Sequence, residues 1–286
     1  MLKAPPLLPI ALGLGLTVSA CATAPEPASG YLSSYEGLTP RTDTLRASVL
    51  QRRDEALAQT IEDLHIERAE LSPDAAQLLT PEDRALVLGE MDRQVCYELS
   101  QRFTLVDTPS PGIARVRLAA TRISPTNQVG SVAAAVASKF IPGPIGFRAP
   151  GSTGGLAAEA ELLAPNGRQV AALIFARNAT VVGTDNPSLS RVGDAHQLAR
   201  VFGDMVADTF APEDRKARPV ADPDPCARYG PRFRPEGLAV RFVTGLYQPE
   251  VSGGRAQPDP APATPPITAS VSAPVSAPVT PPVIED

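Results

Sequence analysis

Glu159 and Glu161, two carboxylates at i and i+2, come nearest to catalytic chemistry by type and spacing. On a strand both would share one face, with carboxyls roughly 6 to 8 Å apart, loosely the separation at which an inverting glycosidase holds its acid and base around a water. The same spacing also suits a plain solvated face. If Arg115 and Arg117 lie on the neighbouring strand, the four charges make cross-strand pairs worth about a few tenths of a kcal/mol each, and this second reading is preferred. The two histidines, His65 and His196, are far apart in sequence and lack a Cys or acidic ligand pattern, so structural or solvated roles are expected for them and no metal. Ser188 and Ser190 are not in a Gly-x-Ser-x-Gly turn. The Gly/Pro-rich stretch 143–155 lacks the Lys of a phosphate-binding loop and reads as a mobile connection. No catalytic, cofactor-binding or metal-ligating residue is therefore expected, nor a cofactor, and the chain does not read as an enzyme.

The covalent chemistry that the sequence does point to is at Cys21. The run Val18-Ser19-Ala20-Cys21 closes a short apolar stretch, Leu7 to Val18, that begins soon after Lys3. It resembles the signal peptides of bacterial lipoproteins, in which the Cys thiol is diacylglycerated and the chain is cut just before it. Small residues ahead of the scissile bond fit a narrow protease groove, and only a thiol makes the thioether. The apolar stretch is about a dozen residues, against roughly 20 for a bilayer span, so residues 1–20 read as a removable signal. The alternative is an ordinary secretory signal followed by an unmodified Cys21. Two or three acyl chains, at about 0.8 kcal/mol per buried methylene, would make attachment effectively permanent. Ala22, where inner-membrane lipoproteins of enteric bacteria usually carry Asp, favours by resemblance a lipid-anchored outer-membrane protein facing the periplasm.

With Cys21 lipidated, Cys96 and Cys226 remain as an even pair in a compartment that permits disulfides. A bond between them is expected; a buried inert Cys96 with an exposed Cys226 is the other arrangement. The net charge of −5 and the lack of any Lys/Arg run longer than a pair exclude nucleic acid as a partner. The 32 prolines crowd toward the end, where the Pro/Ala/Ser/Val-rich residues 249–286 have too little apolar content to offset chain entropy and read as a disordered tail.

The elements able to position these residues show mixed periodicity. Leu64 to Leu71 alternates as a strand. Thr80-Pro81-Glu82-Asp83 then supplies an N-cap, a first-turn proline and first-turn carboxylates for a helix whose apolar side is Leu88, Met91, Val95 and Leu99. Strands follow at Phe103 to Val106, Ala114 to Ile123, Leu156 to Leu163 and Val170 to Ala176. The last two are joined at Asn166-Gly167, a two-residue hairpin signal that pairs Leu163 with Val170, Leu162 with Ala171, Ala160 with Leu173 and Ala158 with Phe175. A second helix, Asp194 to Phe210, carries Leu198, Val201, Phe202, Met205 and Phe210. The order implies an α+β two-layer sandwich: a mainly antiparallel four- to five-stranded sheet, two helices on one face, and the other face open. The expected organisation is signal 1–20, lipidated N-terminus and linker 21–60, α+β periplasmic domain 61–212, a trailing segment 213–248 with an edge strand at Leu238 to Tyr247, and the tail 249–286.

Ser29-Gly30-Tyr31-Leu32-Ser33-Ser34-Tyr35-Glu36-Gly37-Leu38-Thr39-Pro40, the strand at His65 to Leu71 and the hairpin Glu159 to Ala171 together resemble the proteobacterial lipoproteins grouped as domain-of-unknown-function family 3313. That likeness spans about Ser29 to Pro212 and implies no reaction. It departs in the segment before His65, in the segment after Pro212 and in the tail.

An envelope lipoprotein is thus expected that binds or helps assemble another envelope protein, held to the membrane through its N-terminal lipid. The alternative is a periplasmic carrier of a lipid or small hydrophobic ligand, with residues 125–155 as a lid. Within that insertion Val132, Val136 and Phe140 line up at i, i+4 and i+8 and form the candidate partner surface, or else a helix tucked on the domain.

Overall fold

Chain folding is dominated by one mixed sheet, seen in a computed structural model that describes residues 23–44, 46–131, 146–148, 151–183 and 185–253. Its strands are β1 (Thr39–Pro40), β2 (Ser48–Arg53), β3 (Asp63–Ile66), β4 (Glu70–Leu71), β5 (Thr104–Leu105), β6 (Ala114–Ser124), β8 (Gly155–Leu163) and β9 (Gln169–Asn178), in the order β1-β2-β9-β8-β6-β3-β5 with β4 beside β6. β7 (Gly146–Phe147) and β10 (Val182–Gly183) form a separate two-stranded ribbon. The helices are α1 (Glu55–Gln59), α2 (Pro73–Ala76), α3 (Pro81–Ser100), α4 (Gly193–Phe210), α5 (Pro235–Thr244) and α6 (Pro249–Ser252).

Eight strands replace the four or five expected, and the sheet is mixed. β3 pairs in parallel with both β5 and β6, and β4 in parallel with β6. The reason is α3, which carries the chain across one face between β3 and β5, and a crossover of that length returns the next strand parallel. Part of the segment expected to be a linker, 21–60, also belongs to the fold. β2 runs antiparallel along β9, with Val49 opposite Phe175 and Gln51 opposite Leu173. Its sequence, Ser-Val-Leu-Gln-Arg-Arg, alternates too weakly to announce a strand, and the open edge of β9 decides its pairing.

The β8–β9 hairpin has the expected partners Leu162/Ala171, Ala160/Leu173 and Ala158/Phe175, but the turn is longer than two residues and Leu163 faces Gln169, not Val170. Gly167 N–H donates to the Ala164 carbonyl at 2.8 Å and Ala164 N–H to the Arg168 carbonyl at 2.9 Å. Pro165, with its φ held near −65°, suits the first central position of a type I turn, and Gly167 at φ 81° absorbs the left-handed residue that follows.

Thr80 caps α3, its hydroxyl accepting Asp83 N–H at 3.1 Å. Met91, Val95 and Leu99 of α3 and Leu198, Phe202, Val206 and Phe210 of α4 are buried with Leu156, Ala158, Ala160, Leu162, Leu173 and Phe175 from the sheet. The rings of Phe175 and Phe202 meet at 5.7 Å in a tilted pair. Gly203 allows α4 to approach α3 closely, because a Cβ there would press on the backbone of Gln94. Residues 238–247 do not form the expected edge strand. Pro235 opens α5, Gly245 closes it in the left-handed region at φ 73°, and Leu238 and Phe242 stand one turn apart. The segment expected to be tail begins with structure: Pro249–Ser252 is a helical turn with Pro249 buried. Residues 254–286 lie outside the described residues, as does Cys21.

Candidate functional site

The sheet face away from α3 and α4 was expected to be open, and Glu159 and Glu161 solvated. Both are fully buried. The covering is the chain's own segment from about residue 29 to 38, which lies across β8 and β9. Every oxygen of the two carboxylates is taken. Ser29 N–H donates to Glu159 Oε1 at 2.8 Å and the Tyr35 hydroxyl to Oε2 at 2.6 Å. Arg117 donates to Glu161 Oε1 at 2.8 Å, while the Ser33 N–H and hydroxyl, at 2.9 and 2.7 Å, and the Gln169 amide, at 2.8 Å, converge on Oε2. Gly30 and Leu32 each donate a backbone N–H to the Tyr35 oxygen, at 2.8 and 3.1 Å. Burial, then the bond to Glu159, pushes the Tyr35 phenol above its ordinary pKa. Leu32 is buried against Ala172 and Ile174, and Arg117 lies 4.7 Å from the Tyr31 ring centroid.

This arrangement leaves neither carboxylate an oxygen for acid or base work. Of the four charges expected to form ladder pairs, Arg117 does face Glu161, but Arg115 turns to Glu67 at 2.9 Å. Buried carboxylates need full hydrogen bonding, and the strap supplies it from Ser29, Ser33 and Tyr35.

On the opposite side, the Cys96–Cys226 disulfide, with Cα atoms 5.9 Å apart, draws the trailing segment across α3. Between this segment and α4, the polar residues Glu90, Arg93 and Gln94 of α3 are buried. Arg93 grips Glu90 with its guanidinium at 2.6 Å and donates to the backbone carbonyls of Pro231 and Arg232; Gln94 donates to Glu90 at 2.6 Å. Burial, the largest influence on the Glu90 carboxyl, pushes its pKa upward, but the imidazolium form of His196, the Arg93 charge and the hydrogen bonds from Arg93 and Gln94 overturn it and the net direction is down. His196 is buried beside Tyr247, with Nδ1 2.8 Å from the phenol oxygen and Nε2 3.6 Å from Glu90 Oε2. Burial, opposed by the neighbouring Glu90 carboxylate, lowers the imidazole pKa. A cleft of about 260 Å³ opens here, lined by Glu90, Arg93, His196, Arg200, Arg241 and Tyr247 among others.

The remaining residues singled out from sequence are not brought to either place. His65 Nδ1 bonds the Val106 carbonyl at 2.9 Å. Ser188 Oγ donates to the Tyr247 carbonyl at 2.7 Å. Val132, Val136 and Phe140 lie outside the described residues. The end of the stretch expected to be a mobile connection is pinned: buried Arg148 holds buried Asp194 through two bonds of 2.6 and 2.9 Å, and Gly154 N–H joins them at 2.6 Å. Nothing in local sequence announces the Arg148–Asp194 pair, which depends on two distant segments meeting; Glu90 and Arg93 are i,i+3 neighbours on α3, and only their burial was not legible.

The family described as "Protein of unknown function (DUF3313)" matches residues 27–206, and the chain belongs to it. No curated protein sequence matches the chain. Two solved structures of the PelC dodecamer from Paraburkholderia phytofirmans, one a methionine-substituted variant, are similar over part of the fold. Each is 11% identical, with TM-scores of 0.33 and 0.32, covering 59% and 57% of this chain and 99% and 96% of theirs.

Proposed function

We propose that this DUF3313 protein is a lipid-anchored, non-enzymatic lipoprotein of the bacterial envelope, facing the periplasm from the outer membrane, whose domain binds or helps assemble another envelope protein. The observation that carries this reading is the strap. The segment that begins eight residues after Cys21 is stitched into the sheet through Glu159 and Glu161, so a domain with these carboxylates committed to structure would sit hard against its anchor. A disulfide in the same domain is consistent with an oxidising compartment.

The carrier reading has less support. Fully buried Leu162, Leu173, Phe175 and Phe202 fill the space between sheet and helices. The cleft at His196 is about 260 Å³ and is rimmed by charged groups, and a wider one of about 590 Å³ is lined by Arg41, Asp43, Arg53, Arg102 and Asp208 among others, whereas a hydrophobic ligand of ordinary size needs several hundred cubic ångströms of mostly apolar lining.

The test is mass spectrometry of the membrane fraction combined with crosslinking in intact cells. Parent protein should start at Cys21 with acyl mass and form defined crosslinks to an envelope protein. Cys21→Ser should leave unprocessed precursor and lose those crosslinks. A soluble, unmodified chain beginning elsewhere would overturn the proposal.

A further inference from the structure

Exposed large apolar side chains are not scattered over this domain. Val129 follows β6, and next to it Gln128 donates to the Leu189 carbonyl at 2.5 Å. Thr126 N–H bonds the carbonyl of Arg191 at 2.7 Å, and Arg191 reaches the Leu78 carbonyl at 3.3 Å. Arg148 N–H bonds the Val181 carbonyl at 2.7 Å. Tyr247 N–H bonds the Pro187 carbonyl at 2.8 Å, which brings the end of α5, with Phe242 and Val243, to the same region. Leu78, Val129, Val181, Leu189, Phe242 and Val243 are all exposed, Val129 and Phe242 by 81% and 89%. Phe233 and Leu238 rim the cleft at His196. None of the exposed large apolar residues among those described lies at the other end of the sheet, at the 164–168 turn, which the nine residues of β8 put roughly 30 Å away.

The N-terminus is tied to that same end. Thr23 Oγ1 accepts the N–H of Asn178, the last residue of β9, at 3.1 Å, and Asn178 pairs with Gly155, the first residue of β8. Glu26 is fixed there by Arg122 at 3.0 Å. Cys21 is two residues before Thr23, and two extended residues reach at most about 7 Å.

We infer that this end of the domain, carrying Leu78, Val129, Val181, Leu189, Phe242 and Val243, rests on the lipid surface in which the anchor is embedded. The inference builds on the lipidation of Cys21 proposed above. An acylated Cys21 places headgroups within about 7 Å of Thr23, so the lipid surface is the occupant that is always present, and apolar side chains there bury in the interface what they would otherwise expose to water. Of the cations at this end Arg122 is committed to Glu26, Arg177 to Asp185 and Arg148 to Asp194, while Arg191 and Arg241 are exposed and fewer than the six apolar side chains. Docking therefore relies on apolar contact more than on attraction to anionic headgroups, and it should resist salt.

The chain contains no tryptophan, so single-tryptophan variants report cleanly. Full-length lipidated protein carrying Val129→Trp, Leu189→Trp or Phe242→Trp, reconstituted in phosphatidylcholine vesicles, should be quenched by brominated phosphatidylcholine several-fold more than Asn166→Trp at the far turn. Raising NaCl from about 0.05 to about 0.5 M, which shortens the screening length more than threefold, should leave the difference intact. Acyl mass at Cys21 with quenching no greater than in Asn166→Trp overturns the docking while the lipoprotein reading stands, and so does crosslinking of position 189 to a protein in place of quenching. Absence of acyl mass overturns the lipoprotein reading itself, and the docking with it.

Discussion

Replacing Tyr35 by Phe removes one oxygen and three hydrogen bonds while keeping the ring. The hydroxyl donates to the buried Glu159 carboxylate at 2.6 Å and accepts from Gly30 and Leu32 at 2.8 and 3.1 Å. A hydrogen bond to a charged group contributes about 1.5–3 kcal/mol and a neutral one about 0.5–1.5. Because the two backbone donors lie nearer solvent and water replaces part of their loss, the sum expected is about 2–4 kcal/mol. The loss should appear first as opening of the strap, since Leu32 is its main buried apolar contact and the core between sheet and helices does not depend on it. At 1.36 kcal/mol per decade, amide hydrogen exchange in residues 29–38 should accelerate by about 30- to 1000-fold, read by mass spectrometry on peptides from that segment. Peptides from α3 and α4 should change much less. Tyr31→Phe is the control, because Tyr31 contributes its ring face to Arg117 and that face is retained. If Tyr35→Phe left the strap as protected as in the parent, the account of Glu159 and Glu161 as a docking site for the strap would be wrong.

Replacing both Cys96 and Cys226 by Ser should cost about 5 kcal/mol in the chain-entropy model for a 130-residue separation, measured by urea unfolding, and should free residues 213–253 to proteolysis; a loss under about 1 kcal/mol counts against a stabilising bond. Burial, partly offset by the Ala69 N–H at 2.7 Å, raises the Asp92 pKa from 3.8 to about 6, so its contribution is complete below about pH 4 and is lost as pH rises through about 6. Asp92→Asn, which keeps an acceptor for Ala69, should match the parent near pH 4 and exceed it by up to about 3 kcal/mol at pH 8, and equal midpoints at both pH values would refute the buried-acid account. Gly253→Ala should cost about 1–3 kcal/mol in thermal unfolding, because a Cβ there overlaps the His196 ring, and an unchanged midpoint would show that the turn at α6 does not seat on His196.

Local rules were enough for α3, whose cap, first-turn proline and apolar side are all short-range signals, for β6 and β8, which alternate along most of their length, and for β9, an apolar run that follows the Asn166-Gly167 turn signal. They were enough too for pairing Cys96 with Cys226, because once Cys21 is set aside as the expected lipidation site only these two of the three cysteines remain. Alternation alone could not tell the 238–247 stretch from a strand. Pro235 and Gly245 settle it as a helix only when read as its two ends.

What a surface does was beyond local reading. Glu159 and Glu161 carry the same alternation whether water or the strap covers them, and Glu90 and Arg93 look like the polar side of a helix until the trailing segment crosses over them. Burial of a charge depends on which distant segment arrives to satisfy its hydrogen bonds, here Ser29, Ser33 and Tyr35 from more than 120 positions away. Composition and periodicity therefore determined the main helices, the central hairpin partners and the disulfide. Tertiary packing alone decided the parallel strands, the recruitment of β2, the closure of the second sheet face and the gathering of exposed apolar residues at the end where Thr23 is tied down, because each depends on contacts between segments whose meeting no local pattern encodes.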